Sequence, residues 1–212
     1  MHKLALWYDR PCPVFWVVGG FYFFILQKSP FLKINLFKNF FYGIIKSEVS
    51  AMKMFYPNFI FERIWEIDEN FLKENNIKAL VLDVDNTLTE HGSQEICEKT
   101  SEWLRCMKES GVKLCILSNN TPSRIKPFAQ KIGADFVCGT KPRKRDYQKA
   151  LEILNLPPVE CAGVGDQIFT DVLGANLSGL FSILTRPISK NETAFIKFKR
   201  LLEKPFLKEV KK

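Results

Sequence analysis

The sequence predicts an α/β fold: a central parallel sheet flanked by helices. Two observations carry that prediction. From residue 77 onward, short apolar runs alternate with amphipathic stretches at helical spacing, the pattern of βα units stacked on one sheet. The first run, Leu80-Val81-Leu82, is apolar on consecutive positions, as a strand buried on both faces must be.

The elements follow in order. Residues 77–84 form the first strand. Residues 95–110 read as a helix, with Ile96, Trp103, Leu104 and Met107 near helical spacing and Gly111 as its stop. Residues 112–117 form the second strand. Thr121-Pro122 then opens a helix, Thr as N-cap and Pro at the first position, and Gly133 closes it. Residues 134–137 make a short third strand, and 146–154 are helical up to the break at Pro157-Pro158. A fourth strand spans 161–164, a short helix 170–177 and a fifth strand 180–184. Residues 192–203 suit a terminal basic helix.

The chain has 212 residues, enough for one domain with a sizeable core and some extra. The extra is residues 1–51, ahead of a body at 52–212. Charge separates the ends from the middle: residues 1–51 carry +4 and 186–212 carry +6, which leaves the body at −2 within a total of +8. Basic ends suit an anionic membrane surface or a solvated helix face. No zinc finger, RRM signature or other nucleic-acid module appears, so no nucleic-acid partner is expected.

Residues 14–26 are apolar without interruption, but a bilayer crossing needs about 20 such residues. Three readings stand: an interfacial anchor, a short or tilted span, or an extension upstream of the true start. Met52 and Met54, where the organised pattern begins, favour the last. Cys12, Cys97, Cys106, Cys115, Cys138 and Cys161 contain no CxxC and no accompanying His cluster, which predicts free thiols in a reducing compartment. Cys115, Cys138 and Cys161 lie in or beside strand runs, where a free Cys acts as a small hydrophobe.

The chemistry gathers at strand ends. The first strand runs into Asp83-Val84-Asp85-Asn86-Thr87. Carboxylates at i and i+2 share one face of a strand, so their acidities are driven apart: one serves as nucleophile, the other keeps a proton to donate. A calcium loop is excluded, because its Gly and Glu positions hold Leu88 and Gln94. The second strand ends in Ser118-Asn119-Asn120, a hydroxyl and amides ahead of a helix N-terminus, suited to an anion. The third leads to Gly139-Thr140-Lys141-Pro142, where Lys141 offers a fixed charge to a phosphoryl group; Arg143, Lys144 and Arg145 read as a solvated basic loop. The fourth ends in Gly165-Asp166, with Asp171 five residues on, giving oxygen ligands for a hard cation such as Mg²⁺.

In this order, DxDxT, Ser, Lys-Pro and GDxxxTD, the chain resembles the haloacid dehalogenase (HAD) superfamily of phosphohydrolases over roughly residues 77–185. LDVDNTL, LSNN, GTKPRKRDYQKAL and VGDQIFTDVLGAN are similar to its YqeG branch, related to phosphatidylglycerophosphate phosphatases of mitochondria and bacteria. The resemblance implies a Rossmann-like fold and a phosphatase that works through an aspartyl-phosphate. It implies Asp83 as nucleophile and Asp85 as general acid and base. It implies Mg²⁺ on Asp83, the Asp85 carbonyl and Asp166, with Asp171 supporting the metal or orienting Lys141. Ser118 and Lys141 would bind phosphoryl oxygens, Asn119 would reach substrate, and Thr87 would fix the loop.

Asp83 and Ser118 are 35 positions apart, and Ser118 and Lys141 are 23 apart. Neither interval holds a folded cap beyond its helix and strand, so the site is expected to be capless and open. Open sites suit bulky or surface-bound substrates. The expected substrate is phosphatidylglycerophosphate at the inner, cytoplasmic face of a membrane, the lipid identity coming from the resemblance alone. A soluble phosphomonoester, or a HAD-fold binding protein without turnover, are the competing readings.

Overall fold

The computed structural model describes residues 14–18, 21–25, 52–189 and 194–207. The chain divides into two compact units, Met1–Ser50 and Ala51–Lys212. In the first, β1 (Val14–Val18) and β2 (Phe21–Ile25) form an antiparallel pair with Val14 opposite Ile25. Expectations for the rest of residues 1–51 lie outside the described residues. Among the described residues, no helix is long and apolar enough to cross a membrane.

The second unit holds β3 (Phe59–Phe61), α1 (Glu69–Glu74), β4 (Ala79–Leu82), α2 (Glu98–Glu109), β5 (Lys113–Ser118) and α3 (Pro122–Ile132). It continues through β6 (Asp135–Cys138), α4 (Lys144–Leu154), β7 (Cys161–Gly165), α5 (Leu173–Leu177), β8 (Phe181–Thr185) and α6 (Ala194–Glu203). Six strands form one parallel sheet in the order β3-β8-β7-β4-β5-β6. The chain builds outward from β4 through β5 to β6, then returns to add β7 and β8 on the other side. Such a reversal leaves a crevice at the carboxyl ends of the strands.

Alternation along β4 explains the layers. Leu80 and Leu82 pack with Trp103, Ile116 and Phe128 on one face, while Ala79 and Val81 pack with Cys115, Tyr147 and Ala150 on the other. All four β4 residues are buried. Leu82 stands opposite both Ile116 and Val164, so three strands end level with one another. That register brings Asp83, Ser118 and Asp166 to one edge of the sheet.

Most boundaries fall within a few residues of those read from the sequence. Helix α2 starts three residues later than expected, at Glu98, with Cys97 in the cap position and no side-chain cap bond. Trp103 on α2 donates its indole N–H to the Ile67 carbonyl at 2.7 Å, which satisfies its one polar atom inside the core. Thr121 does hold the cap position of α3 with Pro122 behind it, but its hydroxyl pairs with Ser123 instead of the helix. Gly133 ends α3 in the left-handed region, φ 58°, where a residue without Cβ meets no penalty.

In the second unit, β3 and α1 have no counterpart in the sequence reading. β3 lies at the sheet edge against β8, and its rings Phe59 and Phe61 meet Phe71 of α1 edge to face. Asn58 fastens this edge: its carboxamide oxygen accepts from the Ser182 N–H at 2.8 Å and the Ser182 hydroxyl at 2.9 Å. Cys97, Cys106, Cys115, Cys138 and Cys161 are free thiols, with Cys115 and Cys161 fully buried.

Candidate active site

Asp83 continues the line of β4 by donating its backbone N–H to the Val164 carbonyl at 2.9 Å. The chain then turns back sharply. Asn86 adopts φ 63°, its N–H reaches the Thr89 carbonyl at 2.7 Å, and Leu88 and Thr89 both donate to Val84. These backbone bonds hold the loop. Thr87, expected to fix the loop, lies within this turn, and its hydroxyl is buried without a hydrogen-bond partner.

Lys141 projects into the crevice between two acids. Its ammonium bonds Asp83 Oδ1 and stands 2.6 Å from Asp171 Oδ1, all three side chains being almost wholly buried. The peptide from Lys141 to Pro142 is cis. Asn119 braces this loop, its side-chain oxygen accepting the Lys141 N–H at 2.6 Å. That oxygen, expected to reach substrate, is thus engaged in placing Lys141. Asp171 lies in a π-helical turn, Ile168–Val172, that leads into α5. Its other oxygen accepts from the Gln167 N–H at 3.1 Å, and Tyr147 donates its hydroxyl to the Asp171 carbonyl at 3.0 Å. Gly165 makes room for it: a Cβ there would stand 2.3 Å from Asp171 Cγ.

Burial sets the acidities here. Asp83 is pushed up to about 7 by burial first; Lys141 opposes this, while Asp171 and Asp85 add to it. Burial works to lower Lys141, but Asp171 and Asp83 outweigh it and hold the ammonium above the usual lysine range. Asp166 is raised by burial, then by Asp83, against the pull of Arg200.

Asp83, Asp166 and Asp171 each offer a carboxylate oxygen, all within 4.8 Å of one another. Asp166 bonds Arg200 through Oδ2, while its buried Oδ1 has no hydrogen-bond partner. A cluster of hard oxygens with one left unsatisfied fits a divalent cation.

Asp85 occupies a different setting. Its carboxylate accepts from Arg124 Nη2 at 2.6 Å, Asn120 Nδ2 at 2.6 Å and the Gly92 N–H at 2.8 Å, with His91 Nδ1 at 3.6 Å. Ser118 is buried beside it, its hydroxyl accepting from the Asn120 backbone and side-chain amides, both at 3.3 Å. A cleft of about 200 Å³ joins these groups, lined by Asp83, Asp85, Ser118, Asn119, Lys141 and Asp171 among others. Six of the expected residues therefore line one opening, while Asp166 and Thr87 do not line it, and Arg143, Lys144 and Arg145 stay exposed outside it.

The sequence reading missed Arg124, Gly92 and Arg200, and took Asn120 only as part of a turn suited to an anion. Arg124 was findable, since it lies in the first turn of the helix that follows Ser118. Arg200 sits in a basic tail whose charge suggested only solvation. Spacing was its signal, because Ile196, Lys199, Arg200 and Glu203 fall on one helical face.

An acid pair, a buried ammonium and an oxygen cluster at the carboxyl ends of a parallel sheet define a HAD-type phosphohydrolase. The family model of haloacid dehalogenase-like hydrolases matches residues 90–179, and that of mitochondrial PGP phosphatase matches residues 44–132. "Probable phosphatase YqeG" of Bacillus subtilis (strain 168) is 34% identical over 161 residues, 76% of this chain and 94% of that protein. The chain belongs to the HAD phosphatases, in the YqeG and phosphatidylglycerophosphate phosphatase branch, and is a phosphoric monoester hydrolase. The chloroplastic and mitochondrial phosphatidylglycerophosphate phosphatase 1 of Arabidopsis thaliana is 29% identical over 140 residues, 61% of this chain and 40% of that protein's length. Among solved structures, the 3-deoxy-D-manno-octulosonate 8-phosphate phosphatase of Moraxella catarrhalis is similar with a TM-score of 0.39 and 19% identity, over 48% of this chain and 65% of its own.

Proposed function

We propose that this phosphatase removes the terminal phosphate of phosphatidylglycerophosphate, giving phosphatidylglycerol, at the inner face of an anionic membrane. The observation that carries the chemistry is the pairing of Asp83 with the buried Lys141, with Asp85 facing the same cleft. The lipid reading draws support from the match to the phosphatidylglycerophosphate phosphatase model and from an opening with no inserted cap between β4 and β5 or between β5 and β6.

The residues divide the work. Lys141 and the Ser118 hydroxyl bind phosphoryl oxygens, and Asn119 keeps Lys141 in place. An Asp83 carboxylate oxygen attacks phosphorus, the bond from phosphorus to the glycerol oxygen breaks, and Asp85 gives that oxygen its proton. Asp85 then takes a proton from water, the water oxygen bonds phosphorus, and the aspartyl–phosphorus bond breaks to free phosphate. Asp85 must be protonated for the first half, so substrate has to displace the Arg124 guanidinium or share the carboxylate with it. A divalent cation, proposed as Mg²⁺, would be held by Asp83, Asp166 and the Asp85 carbonyl, with Asp171 in support, and would neutralise phosphate charge.

A phosphate-release assay tests this reading. Phosphatidylglycerophosphate in mixed micelles is expected to turn over far faster than nucleotide or sugar phosphates, and only with Mg²⁺ present. Equal turnover of the soluble esters would remove the lipid assignment and leave a general phosphomonoesterase.

A further inference from the structure

Helix α6 is amphipathic in the reverse of the usual sense. Its polar side turns inward. Arg200 bonds the Asp166 carboxylate and carbonyl, Lys199 donates to Gln167 Oε1 at 2.8 Å, and Glu203 accepts the Ile168 N–H at 2.9 Å. Ile196, on the same side, lines the catalytic cleft. Its apolar side faces out: Phe198 is 57% exposed, Leu201 56% and Leu202 48%, with the exposed Lys197 among them. A helix that turns most of its charges inward and shows its large hydrophobes is built to be covered.

We propose that this outer face of α6 seats the enzyme on an anionic lipid bilayer, with the catalytic cleft opening beside the membrane surface. Two observations select the bilayer. Segment 186–212 carries nine Lys or Arg against three acids; with Lys199, Arg200 and Glu203 engaged on the inner side, seven against two remain, so the covering surface is anionic. Phe198, Leu201 and Leu202 require hydrocarbon within a side-chain length of that charge, the layering of an interface that takes an amphipathic helix. Ile196 on the opposite side of the helix ties the docked surface to the cleft, so a phosphate presented by the bilayer meets Lys141 without leaving it. The choice of a lipid partner rests on the lipid-phosphate reading above.

The test uses the full chain and vesicles of phosphatidylcholine with or without phosphatidylglycerol. The wild type is expected to bind the anionic vesicles preferentially, and less as salt rises. The combined Phe198→Ser, Leu201→Ser and Leu202→Ser variant should lose at least about tenfold in vesicle partitioning, because three large side chains no longer reach hydrocarbon. Its turnover of soluble p-nitrophenyl phosphate should stay unchanged, which also reports folding. Lys197→Glu, which alters charge alone, should weaken binding to anionic vesicles only. Val159→Ser, at a residue 71% exposed elsewhere on the surface, should change nothing.

Vesicle binding by the triple variant equal to the wild type overturns the proposal and assigns membrane contact to another segment. So does a wild type that ignores vesicles, as when a second copy covers the helix. Turnover of phosphatidylglycerophosphate in detergent micelles separates the two readings. If micellar turnover fails while α6 still governs vesicle binding, only the substrate is wrong. If micellar turnover succeeds while the triple variant binds vesicles normally, only the docking surface is wrong.

Discussion

Asp83 and Asp85 stand two residues apart and carry the same functional group, yet the fold gives them opposite surroundings. Asp83 is sealed against the sheet with one ammonium and two further acids for neighbours. Asp85 lies at the cleft wall among donors: a guanidinium, a carboxamide and a backbone N–H. The difference lies in what each carboxylate can exchange. Asp83 has fixed neighbours and little solvent, so it is poised to form one bond to phosphorus. Asp85 faces the cleft among hydrogen-bond donors, so an incoming substrate can exchange one of them for a proton. The i, i+2 spacing puts both at one site, and the turn after β4 decides which is inside.

The comparison breaks most sharply at Asp83. Asp83→Asn should lower phosphate release at least about a thousandfold, because the nucleophile is gone, while the fold is retained because Asp171 stays as a partner for Lys141. Asp85→Asn should cost about a hundredfold in turnover, less with substrates whose leaving group needs no proton, such as p-nitrophenyl phosphate. A Brønsted series of aryl phosphates reads this contrast directly. Equal losses at both positions for every leaving group would erase the distinction between the two carboxylates.

Acidity sharpens the contrast next. Asp83 is pushed up to about 7, so below that pH it holds a proton where a cation should bind. Protons and divalent cation therefore compete, and the cation concentration for half-maximal activity should rise by about tenfold per pH unit below that value and level off above it. Titrating activity with Mg²⁺ across the range checks the slope. Arg124→Ala is expected to be the mildest change. Loss of the guanidinium leaves Asp85 with Asn120 and the Gly92 N–H, so kcat should fall about tenfold or less with KM nearly constant. Arg124→Lys should recover only part of it, since an ammonium cannot bridge Asp85 and the Gly92 carbonyl as the guanidinium does, with 2.6 and 2.9 Å contacts.

Much of this was legible before any coordinates. Strands β4, β5, β6, β7 and β8 announce themselves as apolar runs ending in polar residues, and parallel pairing in register forces those endings together. The sequence said less about elements whose role is set by distant partners. β3 is three residues long in a region rich in Phe, and only Ser182, more than a hundred residues later, makes Asn58 a clasp. Arg200 read as tail charge because nothing local shows that α6 folds back onto Asp166. Thr121 shows the converse: residue type suggested a cap hydrogen bond, and the local geometry spends the hydroxyl on Ser123 instead.

The edge pairing of β3 has a consequence for how the protein is made. Asn58 meets a partner 124 positions downstream, so the earliest strand of the sheet leaves the ribosome long before β8 exists. At roughly 5–20 residues per second, that interval is about 6–25 s. Throughout it Phe59, Phe61 and Phe71 have no β8 to shelter beside, and the nascent chain presents an aromatic surface to whatever chaperone is near.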